Sequence, residues 1–99
     1  MTGEQDAPGV GPVMVELTGI TAPATFARLA DALAASWQSV QALPLGSLER
    51  NWLREMLTGP GAQHCAQETL RQGQHMELVF TLAGVPHTVK VQPAEQEGA

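Results

Sequence analysis

Residues 76–91 read MELVFTLAGVPHTVKV. Two apolar-rich runs, Met76 to Leu82 and Val85 to Val91, flank the dipeptide Ala83-Gly84. A two-residue turn there sets Leu82 opposite Val85, Phe80 opposite His87, Leu78 opposite Val89 and Met76 opposite Val91. The other face then pairs Glu77 with Lys90 and Val79 with Thr88. One register thus yields an apolar face and a charge-matched polar face. Such a hairpin is an open-faced sheet, and the rest of the chain must cover its apolar side.

Upstream, Val13-Met-Val-Glu-Leu-Thr18 alternates, with Val13, Val15 and Leu17 on one side. This pattern predicts a half-buried strand. A first helix is expected from Ala22 to Ala42, with Thr21 as N-cap and Pro23 in the first turn. Its apolar stripe is Phe26, Leu29, Leu33, Trp37 and Val40, and Pro44 ends it. A second helix, capped by Ser47, runs to Thr58. Its apolar residues Leu48, Trp52, Leu53, Met56 and Leu57 span about half the circumference, wide enough to touch two things. Gly59-Pro60-Gly61 breaks the chain. A short third helix follows from Ala62 to Gln72, stopped by Gly73 at the C′ position.

The expected fold is therefore α+β and two-layered: a three-stranded sheet in the order β-α-α-α-β-β, helices on one face, ending in a C-terminal β-hairpin. The domain spans 13–92, between a flexible tail at 1–12 and a flexible acidic tail at 93–99. Pro86 and Lys90 are edge devices, so the last strand is expected at a protected edge and the first hairpin strand at the centre. The first strand then occupies the other edge, where only Glu16 guards it. A right-handed crossover would join it to the central strand if the two are parallel.

Charge and cysteine usage narrow the function classes. Ten acidic and five basic residues give a net charge of −5, and the one Lys and four Arg are scattered. A polyanion-binding surface needs clustered cations, so nucleic-acid binding is not expected. A lone cysteine, Cys65, excludes an internal disulfide and any multi-cysteine zinc site. No signal-peptide pattern opens the chain and no apolar run approaches the roughly 18 residues of a membrane span. The expectation is a cytoplasmic protein without membrane contact.

Catalytic and metal constellations find little support. His64 and Cys65 are helix neighbours that diverge by about 100° and cannot share a metal. His75 and His87 lie ~17 Å apart in the hairpin register. Cys65 reads as a small buried hydrophobe, and His64 and His75 as surface side chains. No G-x-S-x-G is present. Gly59-Pro60-Gly61 lacks a P-loop Lys, and Gly9-Val-Gly11 precedes a strand rather than following one. His87 alone points inward, beside Phe80. It is the candidate pocket residue, set against the simpler reading of a sheet-margin histidine bonded to a carbonyl.

Three functions follow. The first is a non-enzymatic protein–protein interaction module that self-associates as a homodimer, with no cofactor and no catalytic or metal residues. Its interface candidates are Trp52 and Met56 on the wide helical face and Val13 and Val15 at the first strand's edge. The second is a small-ligand-binding protein or minor enzyme with a pocket near His87. The third is a regulator that binds a basic nucleic-acid-associated protein.

Overall fold

The computed structural model describes residues 11–94. The remainder of the two tails expected at 1–12 and 93–99 lies outside the described residues. Strands β1 (Val13–Leu17) and β2 (Ala24–Phe26) come first, then helices α1 (Leu29–Gln41), α2 (Ser47–Thr58) and α3 (Ala62–Arg71). Strands β3 (Met76–Leu82) and β4 (Val85–Pro93) complete the domain. The α+β class expected from sequence is what forms, with four strands rather than three.

The hairpin register is the one derived above, pair for pair from Met76–Val91 to Leu82–Val85, with Glu77 across from Lys90. Both turn residues adopt positive φ, 52° at Ala83 and 81° at Gly84. That is the twist a two-residue hairpin requires.

Strand order corrects the expectation. The sheet runs β2-β1-β4-β3 and every pairing is antiparallel. The last strand is central and the first hairpin strand is the edge, so among the described residues the expected parallel crossover is replaced by antiparallel pairing. The reason lies at the ends of β4. This strand runs to Pro93, beyond the last β3 pair at Met76–Val91, and Pro86 lies beyond its last β1 pair at Val89. Each proline therefore sits where one neighbouring ladder has run out and no N–H is wanted on that side. Lys90 is not an edge guard either. It lies between Glu16 of β1 and Glu77 of β3, a row of alternating charge across three strands.

The start of the first helix is also corrected. Ala24–Phe26 pairs with β1, Phe26 against Val13 and Ala24 against Val15. Thr21 does not cap a helix: its hydroxyl accepts the Leu17 N–H at 3.2 Å and closes the β1–β2 turn. Helix α1 begins only at Leu29, with Arg28 in an extended conformation before it. Phe26 suits a strand as well as a helical stripe, and pairing satisfies the backbone of β1 that would otherwise lie open.

All the buried strand residues share one face: Val13, Val15, Leu17, Leu78, Phe80, Val89 and Val91. They form one cluster with Leu29, Leu33 and Val40 of α1, Leu53 and Leu57 of α2, and Ala66 and Leu70 of α3. Helix α1 turns Ala32 and Ser36 inward, and Trp37 packs only partly buried at the margin. Small residues on the inward side let a helix lie close to what it covers. The buried Ser36 hydroxyl is satisfied by the Ala32 carbonyl at 2.8 Å.

Helix α2 starts at Ser47 with Gly46, not Ser47, in the N-cap position and no side-chain cap. Helix α3 ends as expected. Gly73 has φ 79°, its N–H donates to Leu70 O, and the Gln74 N–H donates to Thr69 O. These two bonds are the Schellman pattern of a glycine-stopped helix.

Candidate functional site

His87 is half-buried and bonded to a backbone carbonyl. Its Nδ1 lies 2.7 Å from the Thr18 carbonyl oxygen, which can only accept, so Nδ1 carries the proton and donates. The ring stacks on Phe80, centroids 5.7 Å apart. Gly19 lies against its Nδ1–Cε1 edge, where a Cβ would come within 3.2 Å of the imidazole. Backbone joins the same spot: the Thr88 N–H donates to Thr18 Oγ1, and the Thr18 N–H to the Thr88 carbonyl. The histidine thus fastens the β1–β2 turn onto β4. A cleft of about 230 Å³ lies elsewhere, between Leu33 and Ala34 of α1, Leu57 and Ala62. It is smaller than the usual small-molecule site and no titratable group lines it.

Cys65 is exposed rather than buried, a correction that follows from the face of α3. The core takes Ala62, Ala66 and Leu70, which repeat at four-residue spacing and leave Cys65 turned away. His64 and His75 are exposed. Among the described residues, no three His, Cys, Asp or Glu side chains gather to hold a metal. No helix among them is long and apolar enough to cross a membrane.

The interface candidates divide into two groups. Val13 and Val15 are 0% and 6% exposed, on a strand paired along both sides. The β1 edge is therefore closed, because β2 covers it and β4 takes the other side. Trp52 and Met56 are 43% and 39% exposed, and Leu48 is 87% exposed. The wide apolar face of α2 has split. Leu53 and Leu57 enter the core, while Leu48, Trp52 and Met56, four residues apart, form a second stripe in solvent.

The helix that carries that stripe meets the outer edge of the sheet through its first turn. Thr88 directs its backbone to β1, so Val79 opposite it is turned away from β4. By alternation the N–H and C=O groups of Glu77, Val79 and Thr81 face outward from β3. The Thr81 N–H verifies this, because it donates to Glu49 Oε2 of α2 at 2.8 Å. Glu49 precedes Trp52 by three residues and Met56 by seven, so all three lie on one flank of the helix. Among the described residues, β3 therefore presents main-chain groups without a strand partner, on the side where the first turn of α2 reaches the sheet. Val79, 58% exposed, adds an apolar group on the outer sheet face.

Sequence reasoning named Trp52 and Met56 but missed the β3 edge, Glu49 and Val79. The signal for the stripe was present in the spacing 48, 52, 56. The signal for the edge depended on strand order. No protein-family model matches this chain, and no curated protein or solved structure matches it.

Proposed function

We propose that this protein is a non-enzymatic interaction module that associates with itself through its α2–β3 side. The observation that carries this reading is the solvent-exposed row Leu48, Trp52 and Met56 beside an open strand edge. Either feature alone is tolerated in a soluble protein. Together they form a surface with an apolar centre and directional main-chain groups, which is the composition of a binding patch. Tryptophan is among the residue types that dominate such patches.

The pocket reading draws less support, because Nδ1 of His87 is committed to a structural bond. A basic partner also draws less support. Of the carboxylates near the stripe, Glu49 is bonded to Thr81, which leaves Glu55 as the exposed acidic group on that face of α2.

The test is the mass of the protein in solution. Light scattering across the micromolar range should give a mass above the 10.5 kDa monomer. Trp52→Ala should lower that mass while leaving the far-ultraviolet circular dichroism unchanged. A wild-type protein that stays at the monomer mass at high micromolar concentration would exclude self-association.

A further inference from the structure

We infer that the occupant of the β3 edge is a second copy of this chain, paired antiparallel about a two-fold axis at Leu78. This rests on the self-association proposed above and specifies its geometry. The register comes from Glu49. Its carboxylate already holds the Thr81 N–H, so the β3 residues whose outward N–H and C=O are both left for pairing are Glu77 and Val79. An antiparallel pairing centred on Leu78 sets Glu77 against Val79 of the second copy, and Val79 against Glu77 of the second copy. Each such pair exchanges two main-chain hydrogen bonds, so the Glu49 contact survives at both ends.

Charge fits the same register. Glu77 is the one charged side chain of β3, and it falls opposite a valine. Its other neighbour is Lys90 on its own sheet. No like charges are directly opposed. The two-fold axis, normal to the sheet, also keeps both helical layers on one face. It therefore sets the α2 first turn of each copy, which holds Thr81 through Glu49, on the same face beside the shared strand pair. An extended segment of another protein would fill the edge but bring no matching helix to that face. A second copy supplies both strand and helix with one operation. The product is a continuous eight-stranded antiparallel sheet, twice the four strands described in one copy, with the helices of both copies on one face.

Sedimentation equilibrium and cross-linking test this together. Val79→Pro deletes one outward N–H at an edge position, where proline is compatible with the strand. It should raise the dimer dissociation constant by about tenfold or more, whereas Val79→Thr, which keeps the N–H, should not. Cross-linking does not depend on the proline variant folding. In a Cys65→Ser background, mixing Glu77→Cys with Val79→Cys should give a covalent dimer under mild oxidation. The paired Cα atoms would lie about 5.5 Å apart, within disulfide reach. Each variant alone should give much less. If the wild type is dimeric, unaffected by Val79→Pro and lost in Trp52→Ala, the strand pairing is overturned while self-association stands. A dimer without preferential 77–79 cross-linking overturns the register. A wild-type monomer overturns both, as does a monomer whose edge captures only an extended foreign peptide.

Discussion

Ala83 sits at φ 52°, a left-handed conformation that its Cβ disfavours, in a turn whose second residue is glycine. A side chain in this region costs roughly 1–2 kcal/mol for an ordinary L-residue. Asparagine tolerates it, and Asn-Gly is the preferred pair for such a turn. Ala83→Asn should therefore stabilise the protein by about 0.5–1 kcal/mol, read as a higher urea midpoint with an unchanged slope. A lower midpoint would mean that Ala83 makes contacts that matter more than its backbone strain. Gly19 is the opposite case. Its positive φ of 76° and the imidazole 3.2 Å from where a Cβ would sit make any side chain there strained and crowded. The histidine is thus read best as a fastener, whose partner is a carbonyl rather than a substrate.

Among the elements, β4 has the most to do. It pairs on both sides and sets Lys90 between Glu16 and Glu77. Opposite-charge neighbours across strands contribute roughly 0.2–1 kcal/mol per pair, and like charges reverse the sign. Lys90→Glu would place three carboxylates in one row and should cost about 1–2 kcal/mol in urea unfolding, less in high salt. A salt-independent loss would point to packing of the lysine stem instead. The hairpin's own register was legible because two local facts determine it, the turn length and the alternation of apolar residues. The partner of β1 was not legible. Both hairpin strands offer β1 the same apolar face, so burial does not choose between them. Length chooses: β4 reaches Pro93 and so can lie along the whole of β1. The short β2 was hidden for a similar reason, since Ala24-Thr25-Phe26 satisfies a helical stripe on paper. Half of the candidate surface was legible, as Trp52 and Met56. The edge beside it follows only once strand order is known.

At the scale of the molecule, β1 and β4 are the interior strands and β2 and β3 the flanks. Opening the interior ladder requires breaking contacts between residues 13–17 and 89–93, close to both ends of the described chain. Such contacts are lost only in global unfolding, so β1 and β4 amides should exchange hydrogen most slowly. In dilute protein, the Glu77 and Val79 amides should exchange quickly, and they should become protected as concentration rises. Amide exchange followed by NMR over a concentration series measures both. Slow exchange at Val79 in dilute monomer would show that the flank is covered from within. A domain of this size has only about 5–15 kcal/mol of total stability, so loss of β1 or β4 should abolish folding rather than weaken it.

The Ala94 N–H donates to the Pro12 carbonyl at 3.0 Å. The first and last described stretches thus stand side by side, at the end of the sheet away from the Ala83-Gly84 turn. A short linker could join them and new ends be cut at that turn, giving a circular permutant with the same strand order. By the same token the whole unit could be spliced as a cassette into a surface loop of a host protein, entering and leaving at adjacent points.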